Sequence, residues 1–268
     1  MLMSSTRRRG IAACLLDIDG VLMEDGRALP GAVEAVQFLQ QHGIPFCLLS
    51  NSTMRPAEAW WKLLVGQGFP VRERQILTPA SVAGEVLRER RITRAWWLVQ
   101  EELCSEFTGF EYDEGSPQAV VVGDIGDRWN YRLLNRVFQR IMDGALLVAL
   151  HKGRYWKQGG ELVLDIGAFV AGLEYAAGSE AVVVGKPART FFSAAVSRLG
   201  VAGEDVVMFG DDLFSDVGGA QAAGLRGGLV MTGKFRPQDV EVGSVRPDFV
   251  LESIARLPEL LEKTRVGA

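Results

Sequence analysis

The first part of the chain alternates between two hydrophobic patterns that are typical of parallel α/β proteins. An apolar run from Ala12 to Leu16 ends abruptly at Asp17-Ile18-Asp19-Gly20, which indicates a buried strand. Apolar positions then recur on one helical face between Pro30 and Gly43, residues that are typical of a helix start and end. The pattern continues with a predicted strand over 44–49, a helix over 56–66 and a strand over 71–77. This βαβαβ order predicts parallel strands joined by right-handed crossovers.

A second series of strands and helices runs from about residue 78 to residue 178. Its predicted strands cover 95–99, 119–122 and 146–150, and its predicted helices cover 82–90, 131–142 and 168–177. The first series then resumes with a strand over 181–184, a helix over 187–199, a strand over 206–209, a glycine-rich helix over 217–224 and a strand over 228–231. We therefore expect an α/β fold. A doubly wound, Rossmann-like parallel sheet would be formed by residues 1–78 and 180–268, with an α/β domain inserted over residues 79–179.

Composition narrows the class of protein further. The chain has 268 residues, 48% hydrophobic residues and a net charge of -4, so it has ample core material and no field that would attract nucleic acid. No stretch approaches the ~20 apolar residues of a membrane span, so we expect no membrane partner. Three cysteines without metal-binding spacing suggest reduced thiols and a cytoplasmic protein.

Polar residues follow four of the predicted strands in the domain formed by residues 1–78 and 180–268. They are Asp17 and Asp19, Ser50-Asn51, Gly185-Lys186-Pro187, and Gly210-Asp211-Asp212 with Asp216 shortly after. The carboxyl ends of the strands of a doubly wound sheet lie along one edge, so we expect these groups to meet there.

The residue types at these strand ends suit a phosphoryl group held beside a divalent cation. Carboxylates are hard ligands for Mg²⁺, lysine neutralises charge on phosphoryl oxygens, and a carboxylate can attack phosphorus. Each piece also has an ordinary structural explanation. Ser50-Asn51 and Asp211-Asp212 suit caps or turns, Lys186 suits a solvated loop, and Asp216 suits the dipole of a helix start. Their recurrence at successive strand ends favours the phosphoryl site.

At this point the chain resembles the haloacid dehalogenase superfamily of phosphatases. Asp17-Ile18-Asp19-Gly20-Val21 resembles its first motif and Leu48-Leu49-Ser50-Asn51 its second, while Lys186 fits the third. Gly210-Asp211-Asp212 with Asp216 fits the fourth. The long insertion between the second and third motifs is similar to the C2-type cap of subfamily IIA.

The resemblance implies roles for three aspartates. Asp17 would be the nucleophile and a metal ligand, and Asp211 would complete the protein ligands of Mg²⁺. Asp19 would protonate the leaving oxygen, then activate the hydrolytic water, and its main-chain carbonyl would bind the metal. An acid at this position favours phosphatases over dehalogenases and ion-pumping ATPases of the superfamily.

It also implies how the phosphoryl group is held. The Ser50 hydroxyl and the Asn51 backbone N–H would bind it, and Lys186 would bridge it to the nucleophile. Asp212 and Asp216 would lie behind these groups and orient Lys186 or metal-bound water.

The insertion carries one basic loop of interest, His151-Lys152-Gly153-Arg154. His151 would contact an anionic leaving group if the loop faces the active site, and an exposed basic loop is an equally good interpretation. A cap of this size favours a small phosphorylated substrate. Resemblance to dimer-forming capped relatives makes a homodimer an expectation.

These observations predict a Mg²⁺-dependent phosphatase that acts through an aspartyl-phosphate intermediate. The sequences around Lys186 and Thr232-Gly233-Lys234-Phe235-Arg236 resemble family members that act on pyrophosphate or N-phosphorylated amines. The sequence leaves a nucleotide or a sugar phosphate open as the substrate as well. A phosphotransferase is the nearest alternative. A catalytically silent scaffold is less favoured, since the nucleophile, the acid, the lysine and the metal aspartate are all present.

Overall fold

The computed structural model describes residues 10–158, 161–238 and 244–265. These residues divide into two compact units. The first consists of the described residues within 1–50, 61–76 and 192–268, and the second of those within 51–60 and 77–191. The predicted domain boundaries at 78/79 and 179/180 stay a prediction.

The strands of the described residues are two to five residues long. In chain order they are β1 (Ala13–Asp17), β2 (Met23–Glu24), β3 (Arg27–Ala28), β4 (Phe46–Leu49), β5 (Ile76–Leu77), β6 (Arg94–Leu98), β7 (Glu111–Tyr112), β8 (Ala119–Val122), β9 (Leu146–Ala149), β10 (Tyr155–Gln158), β11 (Glu161–Leu164), β12 (Val182–Val183), β13 (Val206–Gly210), β14 (Arg226–Val230) and β15 (Phe249–Leu251).

The helices that the described residues form completely lie between these strands, except that the last helix follows β15. They are α1 (Ala32–Gln41), α2 (Ala57–Gly66), α3 (Pro79–Glu89), α4 (Tyr131–Met142), α5 (Ile166–Ala177), α6 (Arg189–Leu199), α7 (Gly219–Ala222) and α8 (Leu257–Arg265). A π-helical turn, Leu213–Gly218, precedes α7.

A six-stranded sheet forms the centre of the first unit, in the order β15-β14-β13-β1-β4-β5. β1 pairs in parallel with β13 on one side and with β4 on the other. All residues of β1, β4 and β13 are buried, which explains their continuous apolar runs. The chain leaves β1 toward β4 and later returns on the opposite side at β13. The switch point of the sheet therefore lies at the carboxyl ends of β1 and β13, where ligands bind in this class of fold.

Helix α1 shows how the sequence pattern becomes packing in this unit. Its buried residues Ala32, Ala35, Val36 and Leu39 lie on one face at helical spacing. Gly31 precedes the helix with φ 78°, and a Cβ there would overlap Ala255. Glycine is therefore required at this helix start for both backbone and packing reasons.

The second unit has its own parallel sheet, in the order β12-β9-β8-β6-β7. Its core combines Trp96 on β6 and Val120 on β8 with apolar residues of α4 and α5, including Val137 and Val170. α4 begins at Asn130, whose side chain accepts a hydrogen bond from the Leu133 N–H, and α5 ends at Gly178 with φ 64°. A polar side chain at a helix start and a glycine with positive φ at a helix end are typical caps of α-helices.

The predicted fold class is confirmed, and several local predictions need correction. The predicted strand 71–77 is reduced to β5, because a 3₁₀ turn, Glu73–Gln75, precedes it. The predicted strand 181–184 was assigned to the first sheet, but β12 pairs with β9 in the second. The predicted helix 217–224 is a π-helical turn followed by the short α7. The antiparallel hairpins β2–β3 and β10–β11 were not predicted.

Candidate active site

Three buried aspartates of the first unit come together at the switch point of its sheet. Asp17 is the last residue of β1, Asp211 follows β13, and Asp216 lies in the π-helical turn. One carboxylate oxygen of each lies within 4.8 Å of the others. Three buried carboxylates repel one another strongly unless a cation or protons compensate them. The donor set is therefore one that fits a hard divalent cation.

The register of the sheet accounts for this convergence. Leu16 on β1 lies opposite Phe209 on β13, so the next residues along both strands reach the same edge. The Asp17 side chain is fixed there because its Oδ1 accepts a hydrogen bond of 2.9 Å from the Ile18 N–H. A Cβ at Gly210 would overlap the Asp216 side chain, so the small residue lets that carboxylate approach β13.

Two glycines and one backbone N–H hold the Asp211 carboxylate. Gly20 has φ +81° and Gly233 has φ +56°, and a Cβ at either would overlap Asp211 Oδ2. The Lys234 N–H donates a hydrogen bond of 2.7 Å to the same oxygen. The loop after Asp19 and the loop after β14 therefore both close around this one side chain.

Asp19 follows Asp17 by two residues in the sequence, but its environment differs from that of the three buried aspartates. Its side chain is exposed, and its Oδ2 accepts a hydrogen bond of 3.2 Å from the hydroxyl of buried Ser50, which follows β4. This arrangement leaves the Asp19 carboxyl group accessible for proton exchange while Ser50 restricts its orientation.

Asp212 acts as a helix cap, which was one of the two interpretations left open by the sequence. Its Oδ1 accepts hydrogen bonds of 2.9 Å from the Phe214 and Ser215 N–H groups. Its own N–H donates to Asp216 Oδ2 at 3.1 Å, which links the cap to the cluster. One Asp216 carboxylate oxygen lies with those of Asp17 and Asp211, and the predicted role of Asp216 in orienting Lys186 or metal-bound water stays a prediction.

Asn51 and Lys186 belong to the second unit and are joined by two hydrogen bonds. The Lys186 N–H donates to Asn51 Oδ1 at 2.8 Å, and Asn51 Nδ2 donates to the Lys186 carbonyl at 3.2 Å. Lys186 is only 4% exposed. The Asn51 side-chain amide therefore fixes the backbone of a buried lysine. We expected only the backbone N–H of Asn51 to have a function. The only indication of this contact in the sequence is that a side-chain amide can donate one hydrogen bond and accept another.

His151 lies next to the same loop in the second unit. A Cβ at Gly185 would overlap the Leu150 carbonyl, and it would lie 2.8 Å from Asn51 Oδ1 and 3.3 Å from the His151 Cβ. The Gly153 N–H donates to His151 Nδ1 at 3.2 Å, so Nε2 carries the proton of the neutral ring and faces Asp165 Oδ1 at 3.6 Å. Burial lowers the pKa of His151, with Asp165 and then Asp124 opposing the shift.

The neighbouring cations of this basic loop have local partners. Lys152 forms an ion pair with Glu174 of α5, and the Arg154 guanidinium lies 5.9 Å from the ring centroid of Tyr155. The exposed-loop interpretation therefore describes Lys152 well, whereas His151 is substantially buried.

Comparisons with known proteins support the assignment of this fold. A family model described as haloacid dehalogenase-like hydrolase matches residues 14–113, and a second, HAD-hydrolase-like model matches residues 183–257. The rat protein named phospholysine phosphohistidine inorganic pyrophosphate phosphatase is 38% identical over 261 residues, covering 95% of this chain and 96% of the relative.

Solved structures agree with the sequence relatives. A p-nitrophenyl phosphatase from Archaeoglobus fulgidus superposes with a TM-score of 0.86 at 26% identity, covering 94% of this chain and 100% of that one. NagD from E. coli K-12 gives a TM-score of 0.81 at 27% identity, covering 92% and 98%.

The parallel sheet with carboxylates at its switch point and these matches define an α/β hydrolytic enzyme. The chain belongs to the haloacid dehalogenase-like hydrolases, which confirms the resemblance carried by its four motifs. Among the described residues, no helix is long and apolar enough to cross a membrane.

Proposed function

We propose that this protein is a Mg²⁺-dependent phosphatase that hydrolyses a small phosphorylated compound through an aspartyl-phosphate. The observation that carries the proposal is the buried group of Asp17, Asp211 and Asp216 at the switch point of the first sheet. A bound Mg²⁺ would neutralise these carboxylates and the phosphoryl oxygens, which lets an anionic nucleophile approach an anionic substrate. Asp17, Asp211 and the main-chain carbonyl of Asp19 are the groups that we assign to it.

In the proposed reaction, a carboxylate oxygen of Asp17 attacks phosphorus while the bond from phosphorus to the leaving oxygen breaks. Asp19 gives its proton to that oxygen and then takes a proton from the water that hydrolyses the aspartyl-phosphate. The hydrogen bond from Ser50 to Asp19 supports this role, because it orients the carboxyl group without burying it. The second step returns Asp17 as a free carboxylate and releases phosphate.

We assign phosphoryl binding to the Ser50 hydroxyl, the Asn51 backbone N–H and the Lys186 ammonium. The two hydrogen bonds between Asn51 and Lys186 support a positioning role for the Asn51 side chain as well. Asp216 is assigned to orient metal-bound water, and Asp212 acts through its cap on the π-helical turn. His151 is kept as a candidate contact to the leaving group.

The first test is hydrolysis of p-nitrophenyl phosphate with and without Mg²⁺. We expect Mg²⁺-dependent turnover that falls by at least roughly 10³-fold in Asp17→Asn, because the amide cannot act as the nucleophile. Activity that survives in Asp17→Asn would contradict the proposed intermediate. No turnover of any phosphorylated compound by the wild type would favour the scaffold alternative.

Pyrophosphate and N-phosphorylated amines are the substrates that we propose to test first, since the rat relative is named for them. A panel of phosphorylated metabolites assayed for released phosphate would identify the preferred substrate. Adding alcohols as acceptors would separate hydrolysis from phosphotransfer, because a phosphotransferase yields a new phosphoester in place of phosphate. A cytoplasmic location and a homodimer remain part of the proposal.

A further inference from the structure

A cavity of about 190 Å³ in the first unit opens beside Asp211. Its lining includes Asp211 and Asp212, Phe214 of the π-helical turn, and Lys234, Phe235 and Arg236 of the loop that follows β14. One water molecule needs only about 15 Å³ of such volume, so this cavity has room for a polyatomic group.

The loop that carries the two cations is fixed by its main chain. The Thr232 hydroxyl donates a hydrogen bond to the Gly20 carbonyl, and the Lys234 N–H donates to Asp211 Oδ2. These contacts attach the loop to the residues around the three-aspartate cluster. The Lys234 and Arg236 side chains take no part in these contacts and are exposed.

The cations of this loop lack the local ion pairs that three other exposed cations form. Lys152, Arg136 and Lys263 each form an ion pair with a glutamate. Within the described residues, neither the Lys234 nor the Arg236 side chain has a hydrogen bond or an ion pair. Two positive charges thus line a cavity next to a carboxylate cluster with no acidic partner of their own in the described part of the chain.

We propose that Lys234 and Arg236 bind the leaving group of a phosphoanhydride substrate, namely its second phosphoryl unit. This inference rests on the proposed function, because it requires the transferred phosphoryl group to be attacked by Asp17. The bond from phosphorus to the bridging oxygen breaks, the electron pair stays on that oxygen, and Asp19 supplies its proton. The departing phosphate is then held by the ammonium and guanidinium groups.

The chemistry of the two side chains favours a phosphoryl unit over an uncharged leaving group. A guanidinium binds phosphate oxygens with two parallel hydrogen bonds, and an ammonium adds a compact positive charge. Both contacts strengthen as negative charge develops on the leaving oxygen, so they stabilise the transition state more than the bound substrate. A p-nitrophenyl leaving group has no second phosphoryl unit and cannot use them.

The test compares pyrophosphate with p-nitrophenyl phosphate in Lys234→Ala, Arg236→Ala and the double variant, with Mg²⁺ present. Alanine at 234 keeps the N–H that binds Asp211, so the metal site is preserved. We expect kcat/KM for pyrophosphate to fall roughly 10-fold for each cation removed, the usual range for a charge-assisted hydrogen bond. In Arg236→Ala, turnover of p-nitrophenyl phosphate should be nearly unchanged. In the variants of Lys234, whose N–H holds Asp211, pyrophosphate should lose more than p-nitrophenyl phosphate.

Lys263→Ala is the matched control, since it removes an exposed lysine that pairs with Glu259 on α8, and it should change neither substrate. Calorimetric titration with non-hydrolysable methylenediphosphonate provides a second measurement, and its affinity should fall in the double variant and stay unchanged in Lys263→Ala. Three outcomes would overturn this inference and leave the proposed function intact. They are equal losses for both substrates, no loss for pyrophosphate, and a wild-type enzyme that hydrolyses only the p-nitrophenyl ester. Wild-type enzyme that hydrolyses neither substrate would overturn the proposed function itself.

Discussion

The two parallel sheets of this protein have equivalent switch points that carry very different residues. In the first sheet the switch point lies between β1 and β13, where Asp17 and Asp211 follow the strands. In the second it lies between β6 and β8, where Gln100 and Asp124 occupy the corresponding region.

Hydrogen bonds between protein groups fill the switch point of the second sheet. Gln100 Nε2 donates to the Asp124 carbonyl at 2.8 Å, Arg128 donates to the Val99 carbonyl at 3.1 Å, and the Trp129 indole donates to the Gly123 carbonyl at 3.3 Å. Topology alone therefore provides a place for a ligand, and the residue types at the strand ends decide whether the protein fills that place itself.

Among the tests of this comparison, we expect the largest effect from replacing Asp19, the exposed acid near the first switch point. Asp19→Asn should lower turnover by about 10²–10⁴-fold, the usual contribution of general acid–base catalysis. The loss should be greater for alkyl phosphates than for p-nitrophenyl phosphate, whose leaving group needs little protonation, and phosphate should still bind. Wild-type rates with an alkyl phosphate would exclude the acid–base role.

Alanine variants of two glycines distinguish the cost of backbone strain from the loss of packing around Asp211. Gly20 and Gly26 both have positive φ, +81° and +77°, but only at Gly20 would a Cβ overlap the Asp211 carboxylate. Both alanine variants should lose stability, on the order of 1 kcal/mol from the backbone. Only Gly20→Ala should also weaken Mg²⁺ binding and turnover, as measured by calorimetry and initial rates. Similar losses of Mg²⁺ affinity in both variants would argue against the support described for Asp211.

Asn51→Ala tests the hydrogen bonds that hold the Lys186 backbone. Loss of two hydrogen bonds to a buried segment should lower kcat/KM by roughly 30-fold, since each contributes about 1 kcal/mol. Asn130→Ala is the control, because Asn130 caps α4 and its loss should reduce the free energy of unfolding by about 1 kcal/mol without affecting turnover. A positioning role for Asn51 is excluded if the two variants have the same kinetics.

The smallest expected effect concerns His151 and pH. Burial lowers the pKa of this imidazole in the folded state below its ordinary value of 6.5, so the unfolded chain binds the proton more tightly. Stability contributed by neutral His151 is present above that ordinary value and is lost as the pH falls through the interval down to the folded pKa. Urea unfolding between roughly pH 5 and pH 8 should show this loss in the wild type, and His151→Gln should lack it. Parallel curves would contradict the direction of the shift.

The sequence was sufficient where the hydrophobic pattern is long and regular. The strand β8 and the helix α4 coincide with their predicted ranges, because each combines an unbroken apolar pattern with clear polar or glycine ends. Asp17, Asp19, Ser50, Asp211 and Asp216 could be selected from the sequence, since all follow strands of the first sheet or lie just beyond them.

Other features depend on contacts that no local pattern contains. The apolar run 181–184 suits either sheet, and only pairing with β9 assigns β12 to the second. The place of Asp216 depends on a π-helical turn, whose residues cannot be assigned to a face from helical spacing. The β2–β3 hairpin did have a signal, because Asp25-Gly26 is a favoured two-residue turn with positive φ at both positions.

Calorimetric titration of Mg²⁺ into the protein tests most directly whether the first switch point is a metal site. Asp211→Asn removes a carboxylate from the cluster, and Asp124→Asn is the matched change at the second sheet, where the side chain binds only the Gly126 N–H among the described residues. We expect one Mg²⁺ to bind to the wild type and to Asp124→Asn with the same affinity, and binding to be lost in Asp211→Asn. Undiminished Mg²⁺ affinity in Asp211→Asn would contradict the account.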